Sequence, residues 1–342
     1  MKGECYLIIT GGTGGHIFPS IAIAQELRNR GMKYKIVAIG PKIKTKAFDE
    51  YNTKVYSRYD KLSLIIYTLR LFNKVLSESK IIATGSYASF PALFWAWLLR
   101  KPYYLIEENV IPGRVVRMFS KSAKFVFLPF EEAKNYFKKK DNLLVTGVPV
   151  RSFNKVSKRE AREILKIPQG AKVVLVIGGS QGSRKINRLV VKVAEKLDNY
   201  EFILIAGKDH DKLWSEVFIP RNMKVFEFFE DMSVPYMASD IAISRAGGSA
   251  IAELLYFKIP AIYIPYPKAK DNHQYYNAKA VADRKFGIMI KEDDLDVNVL
   301  KEAIIEVMNN REFYKKNLLK YDNSSASQRI VDYIQEAFEK VQ

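Results

Sequence analysis

The sequence predicts an α/β protein built in two halves, each a parallel sheet flanked by helices. Three observations predict it. Short apolar runs alternate with stretches of helical periodicity along the whole chain, the pattern of strand–helix–strand units with parallel sheets. Two of those runs end in glycine-rich turns, one at Gly11 and one at Gly178. The chain, at 342 residues, also exceeds what one hydrophobic core usually serves.

The first run, Tyr6–Thr10, opens onto Gly11-Gly12-Thr13-Gly14-Gly15-His16, after which Ile17, Ile21 and Ala24 keep helical spacing. Further strands are expected at Tyr34–Ile39, Ile81–Thr84, Tyr103–Glu107, Phe125–Leu128 and Leu143–Thr146. Gly147-Val148-Pro149-Val150-Arg151 is a turn-rich break before a charged helix starting near Lys158, which sets the domain boundary at 150/151. The second half repeats the theme. Val173–Ile177 opens onto Gly178-Gly179-Ser180-Gln181-Gly182, and Ile186, Leu189, Val190, Val193 and Leu197 follow at helical spacing. Strands then fall at Phe202–Ala206, Lys224–Phe228, Ile241–Ser244 and Ala261–Ile264. The expected domains are 1–150 and 151–326. A last helix, 327–342, carries Ile330, Ile334 and Phe338 and is free on sequence grounds to cap either of them.

A strand that ends in glycines at a helix N-terminus presents backbone N–H groups and the positive end of the helix dipole, which together bind anions. Two such turns point to phosphate-bearing ligands at the carboxyl ends of the strands. Neither turn is a P-loop, since no Lys-Ser or Lys-Thr pair follows it suitably. The dinucleotide pattern, started at Gly12, meets Ile17 where its last glycine belongs. The strand at Tyr34–Ile39 runs into Gly40-Pro41-Lys42, without the acid that would bind an NAD ribose. Hydride transfer and P-loop hydrolysis are set aside, and no cofactor is expected.

Composition narrows the class further. With 48% hydrophobic and 27% charged residues the chain is an ordinary globular protein. One cysteine, Cys5, excludes an intrachain disulfide and four-cysteine or two-cysteine, two-histidine zinc sites, and it fits a reducing compartment. The apolar stretch Cys5–Thr10 is too short for a secretory leader. The longest apolar stretch, Ala92–Leu99, falls far below the ~20 residues that span a bilayer, so a cytoplasmic location is expected. The net charge of +18 comes from 55 basic and 37 acidic residues that are scattered and form no nucleic-acid motif, so nucleic acid is not expected as a partner.

The segment GGTGGHIFPSIAIAQEL (Gly11–Leu27) resembles the amino-terminal signature of the bacterial peptidoglycan N-acetylglucosaminyltransferases of glycosyltransferase family 28. Further segments follow in the same order. Thr84-Gly85-Ser86-Tyr87-Ala88-Ser89-Phe90-Pro91 resembles the family's second glycine segment, and Glu107-Glu108-Asn109 with Pro112-Gly113 its H-E-Q-N-x-x-x-G stretch. Gly147–Arg151 is similar to the interdomain turn and Gly178–Gly182 to the G-G-S-Q-G turn. Ser244-Arg245-Ala246-Gly247 through Glu253, then Asp271–Ala278, resemble the donor-site block. The chain departs from the pattern at Ile106 (usually His), at Glu108 (usually Gln), at His273, and at Arg245-Ala246-Gly247-Gly248 for R-S-G-A.

The resemblance implies a GT-B fold of two Rossmann-like domains, UDP-N-acetylglucosamine as donor, and lipid I as acceptor on the cytoplasmic face of the cell membrane. Its implied donor contacts are Arg151 and Ser180 at the diphosphate, Gly248, Ser249 and Ala250 at the α-phosphate with Ile251 and Ala252 beside them, Glu253 at the ribose, Phe229 at the uracil and Gln274 at the sugar. In the first half Thr13, Gly14, Gly15 and Asn109 are the implied substrate contacts. Inverting transfer needs a base, and His16, with an ordinary pKa near ~6.5, sits at the first glycine turn. A purely conformational role for His16 is the alternative, and Glu107 is the rival base.

Two D-x-D strings, Asp209-His210-Asp211 and Asp294-Leu295-Asp296, suit metal ions in other glycosyltransferases. Here the first follows a loop and the second reads as a helix cap, so no metal is expected. A lipid acceptor calls for an anionic membrane surface as partner. Leu62, Ile65, Ile66, Leu69, Phe72 and Leu76 make one apolar helix face edged by Lys61, Arg70 and Lys74, while Leu64, Tyr67, Leu71 and Val75 make a second. The stretch Phe94–Lys101 is placed to extend the first face; an ordinary sheet-packing helix is the other reading. A related transferase acting on diacylglycerol is the alternative activity.

Overall fold

The computed structural model describes residues 5–11, 14–40, 48, 51, 53–56, 61–77, 80–179, 182–207 and 218–339; of residues 61–65, 338 and 339 only the backbone is described. The chain divides into two compact units. One comprises Met1–Ser152 together with Asp322–Gln342, the other Phe153–Tyr321.

The first unit is a seven-stranded parallel sheet. Its strands are β1 (Cys5–Gly11), β2 (Lys33–Ile39), β3 (Thr53–Tyr56), β4 (Lys80–Thr84), β5 (Tyr103–Ile106), β6 (Phe125–Leu128) and β7 (Leu143–Val145), in the order β3-β2-β1-β4-β5-β6-β7. Ile8 sits in register with Ile36 on one side and Ile82 on the other. Successive residues of a strand point to opposite faces, so β1 feeds two cores. Tyr6 and Ile8 pack under α1 (Gly14–Asn29) with Ile17, Ile21 and Ala24, joined by Ile330, Val331 and Ile334 of the C-terminal helix Ala326–Glu339. Leu7 and Ile9 face the opposite way. There they meet Leu71 and Val75 of α2 (Lys61–Ser77), Leu93 of α3 (Phe90–Leu98) and Val116 of α4 (Arg114–Phe119).

The second unit follows the same logic. Strands β8 (Lys172–Ile177), β9 (Tyr200–Ile205), β10 (Met223–Phe226), β11 (Ile241–Ser244), β12 (Ala261–Tyr263) and β13 (Gly287–Met289) form a parallel sheet in the order β10-β9-β8-β11-β12-β13. The unit opens with α5 (Lys158–Ile164), whose N-cap Ser157 and Glu160 close a reciprocal capping box. Helices α6 (Arg184–Ala194), α7 (Ser233–Ala238), α8 (Gly248–Tyr256), α9 (His273–Asp283), α10 (Val297–Asn309) and α11 (Arg311–Leu319) follow. Asp240, just before β11, accepts from Val173 N at 2.8 Å and from the buried Arg162 at 3.1 Å, which ties α5 to the centre of the sheet.

In each sheet the strand order reverses once, between β1 and β4 and between β8 and β11. Such a reversal leaves a crevice at the carboxyl ends of the two strands, because the helices that follow them lie on opposite faces. The glycine turns after β1 and β8, Gly85 after β4 and Arg245–Gly248 after β11 all fall at these points.

Candidate active site

In the first unit the crevice is built from hydroxyls and glycines. Gly11 passes so close to β2 that a Cβ there would lie 1.9 Å from the Ile39 carbonyl oxygen; no other residue fits. Thr10 Oγ1 and Ser20 Oγ both donate to the carbonyl of His16, at 2.8 and 3.0 Å, and Thr84 Oγ1 donates to Thr10 Oγ1 at 3.1 Å. The peptide of His16 is thus clamped from β1, β4 and its own helix. Its imidazole turns to Glu108, with Nδ1 3.0 Å from Oε1. Burial lowers the His16 pKa, but the charge and hydrogen bond of Glu108, with the charge of Glu107, outweigh it and raise the value above 6.5.

Glu107 directly follows β5 and is occupied. Its Oε1 accepts from the backbone N–H of Glu108 and of Asn109, both at 2.9 Å, and from Asn109 Nδ2 at 3.2 Å; Oε2 accepts from Gly113 N at 2.8 Å. Burial pushes this carboxyl up, while the Gly113 and Asn109 donors and His16 hold it down; the net shift is upward. Gly85 packs against the same group: a Cβ there would stand 2.6 Å from Val116 Cγ2 and 3.3 Å from Glu107 Oε2. The carboxylate therefore organises the turn from Glu107 to Gly113 and holds Asn109.

In the second unit α8 starts at Gly248, after the N-cap Gly247, which has no side chain to cap it. Glu253 lies within α8, buried, and Tyr236 Oη donates to its Oε2 at 2.7 Å. The floor beneath is set by Arg245, which pairs with Glu292, donates to Ser183 Oγ at 2.8 Å and reaches the carbonyl of Ile264 at 3.3 Å. Asn277 Nδ2 supports the Ala246 carbonyl at 3.1 Å. Gln274 Oε1 accepts from Tyr266 N at 3.0 Å, which leaves its NH2 pointing elsewhere as the donor end. Phe229 is half-buried, its ring edge-on to Phe226 at 5.0 Å, while the neighbouring Phe228 is exposed.

Gly14 and Gly15 open α1, directly before His16. Gly248, Ser249, Ala250, Ile251, Ala252 and Glu253 share α8. Arg151 belongs to the first unit, its guanidinium 4.2 Å above the ring of Phe18. Thr13, Ser180 and the Asp209–Asp211 string lie outside the described residues. Asp296 caps α10, accepting from Asn298 N and Val299 N at 2.8 Å each. Among the described residues no three His, Cys, Asp or Glu side chains converge as a metal site. Sequence reasoning missed Tyr236, Phe18 and the partnership of Glu108. Only Glu108 carried a signal, as one of the positions that depart from the H-E-Q-N pattern.

On α2 the two apolar faces are distinct. Tyr67, Leu71 and Val75 are buried in the core, whereas Ile66, Leu69 and Leu76 are exposed, Leu69 by 68%. On α3, which packs on α2, Trp97 and Leu98 are exposed, and on α4 Met118 is exposed by 64%. Arg70, Arg100, Arg114 and Arg117 are exposed on the same three helices or just after them. Among the described residues no helix is long and apolar enough to cross a membrane.

Comparison with known proteins gives a consistent result. Residues 6–128 match the glycosyltransferase family 28 N-terminal domain and residues 173–334 the glycosyltransferase family 28 C-terminal domain. A protein of Sulfurihydrogenibium sp. (strain YO3AOP1) is 33% identical over 342 aligned residues, covering 95% of this chain and 96% of that protein. One of Aquifex aeolicus (strain VF5) is 31% identical, covering 94% of this chain and 97% of its own length. Both are named UDP-N-acetylglucosamine--N-acetylmuramyl-(pentapeptide) pyrophosphoryl-undecaprenol N-acetylglucosamine transferase. The crystal structure of Acinetobacter baumannii MurG superposes with a TM-score of 0.76 at 23% identity, covering 97% of this chain and 99% of that one. The calicheamicin glycosyltransferase CalG4 superposes at 0.68 with 12% identity, covering 100% of each chain. The fold is that of the two-domain GT-B glycosyltransferases.

Proposed function

The chain belongs to glycosyltransferase family 28, and from that premise we propose that it transfers N-acetylglucosamine from UDP-N-acetylglucosamine to undecaprenyl-pyrophosphoryl-N-acetylmuramoyl-pentapeptide, converting lipid I to lipid II in peptidoglycan synthesis. It is a hexosyltransferase. One observation supports this reading above the others: the segments that resemble the family's motifs lie at the carboxyl ends of β1, β4 and β5 in one unit and of β8 and β11 in the other.

The second unit takes the donor. Glu253 accepts hydrogen bonds from the ribose hydroxyls, the N-terminus of α8 faces the diphosphate, and Gln274 meets the sugar. The first unit takes the acceptor. The acceptor hydroxyl attacks the anomeric carbon as its proton passes to His16; the bond from that carbon to the diphosphate oxygen breaks, and UDP leaves with the electron pair. His16 is the base in preference to Glu107, because all the contacts of the Glu107 carboxylate serve the turn it organises. Asn109, fixed by Glu107, positions the incoming group. Arg151 and Ser180 are assigned to the diphosphate, and Phe229 to the base, on resemblance alone.

The exposed apolar residues of α2, α3 and α4, with the arginines among them, form the surface that docks on anionic lipid at the cytoplasmic face, where the acceptor resides. The test is transfer of radiolabel from UDP-N-acetylglucosamine to lipid I or to diacylglycerol, with and without a chelator. Incorporation into lipid I alone, unaffected by the chelator, is the expected result. Incorporation into diacylglycerol instead would move the chain to the alternative activity.

A further inference from the structure

Glu108 meets His16 across 92 residues of sequence. The two side chains differ sharply in environment: 24% of the imidazole side chain is exposed, and 3% of Glu108. The pair is closed at the carboxylate and open at the imidazole. An ionised carboxylate only accepts, so the hydrogen between them sits on Nδ1 and the lone pair of the neutral ring sits on Nε2. We propose that Glu108 is a positioning residue for the base, locking the Nδ1–H tautomer of His16 and holding the imidazolium that forms when Nε2 takes the acceptor proton. The inference rests on the reading of His16 given above and adds a second group to it.

The balance of the step is simple. The proton leaves the acceptor oxygen for Nε2 as the new oxygen–carbon bond forms and the carbon–phosphate oxygen bond breaks. The Nδ1 proton stays on the ring, and the ring's new positive charge lies against Glu108. An amide at position 108 can accept the same Nδ1 hydrogen bond through its oxygen or donate to a bare Nδ1 through its nitrogen, so it neither fixes the tautomer nor brings a charge to meet the imidazolium. The carboxylate thus makes His16 a stronger base at the cost of leaving more of it protonated in mild acid.

The charged groups acting on the imidazole are Glu108 and, behind it, Glu107, both from the segment after β5. β1 and β4 present the hydroxyls of Thr10 and Thr84 to the same region, and the first turn of α1 contains no acidic residue. The N-terminus of α1 disfavours a cation there, and burial does the same; Glu108 and Glu107 oppose both.

The experiment uses the full-length protein and two readouts. One is the pH dependence of kcat for transfer to lipid I. The other is 15N NMR of the imidazoles, tractable because the chain has only three histidines. In the parent, His16 should show the Nδ1–H tautomer and titrate above its ordinary value, with the acid limb of kcat following it. In Glu108→Gln both the titration and the limb should move down by about one pH unit, with the Nδ1–H preference weakened and the plateau kcat roughly tenfold lower. In Glu108→Ala the tautomer preference should be lost and the plateau should fall further, while KM for UDP-N-acetylglucosamine holds in both variants. An unmoved titration and limb in Glu108→Gln overturns the proposal. Full activity in His16→Ala overturns the base assignment underneath it, and the NMR titration, which needs no turnover, tells the two failures apart.

Discussion

Tyr236 donates its phenolic hydrogen to Glu253 Oε2 across 2.7 Å, joining α7 to the carboxylate assigned to the ribose. The ring of Tyr236 is itself fixed, stacked on Phe257 at 4.7 Å and edge-on to Phe153 at 6.1 Å. A carboxylate oriented before its ligand arrives loses less freedom on binding, which raises affinity without a new contact.

Glu253→Ala should therefore weaken UDP binding about tenfold to a hundredfold, the loss of charge-assisted hydrogen bonds worth roughly 1.5–3 kcal/mol each. Tyr236→Phe keeps the ring packing and should cost less, up to about tenfold. Calorimetric titration with UDP on folded variants checks both. Parent-like affinity in Glu253→Ala rejects the anchor.

His16→Ala should lower kcat by about 10²–10⁴ with UDP affinity retained, as expected for a general base. Glu107→Gln should act differently. Its new amide donor would face one of the backbone N–H groups that Glu107 now accepts, so melting temperature and kcat should fall together. A severe kcat loss in Glu107→Gln at an unchanged melting temperature, with a mild effect in His16→Ala, would assign the base to Glu107.

Replacing Leu69, Trp97 and Met118 by Gln should sharply reduce cosedimentation with anionic liposomes. Replacing Arg70, Lys74 and Arg117 by Gln should reduce it too and flatten its salt dependence, each cation near such a surface being worth about 1 kcal/mol. Transfer to a short-chain, water-soluble acceptor should survive in both. Liposome binding equal to the parent's would place the membrane contact elsewhere.

Asp240→Ala should destabilise the second unit by about 3 kcal/mol, because it leaves the Arg162 guanidinium, 3% exposed, with the carbonyls of Ala238 and Gln169 but no counter-charge, and removes the acceptor of Val173 N. Urea unfolding followed through the second unit measures this. A cost below about 1 kcal/mol would show that solvent reaches Arg162 and that the tie is a surface pair.

Much of the architecture was legible because parallel strands buried on both faces announce themselves as short apolar runs. Tyr34–Ile39 and Ile81–Thr84 differ from the observed strands by one residue at their starts. The run at Lys224–Phe228 was read too far: β10 ends at Phe226, and Phe228 is exposed. Aromatic residues favour strands wherever they fall, so composition gives no stop signal there. The site was less legible. Glycine turns show locally, but the contacts of His16 with Glu108, Tyr236 with Glu253 and Arg151 with Phe18 join segments that only tertiary packing brings together. Asp296 was readable as a cap because its partners lie two and three residues on.

The C-terminal helix completes a core whose other walls are made at the opposite end of the chain. Ile330, Val331 and Ile334 pack with Ile17, Ile21 and Ala24, and Arg329 fastens the helix to the carbonyl of Thr146 at 2.7 Å. During synthesis, then, the first unit waits with the α1 side of its sheet only partly covered while all of Phe153–Tyr321 is translated, roughly ten to thirty seconds at ~5–20 residues per second. The second unit, continuous in sequence, is free to fold first. The newborn chain thus completes Phe153–Tyr321 before the unit that flanks it, and for that interval the apolar residues awaiting the last helix are a natural client for a chaperone at the ribosome.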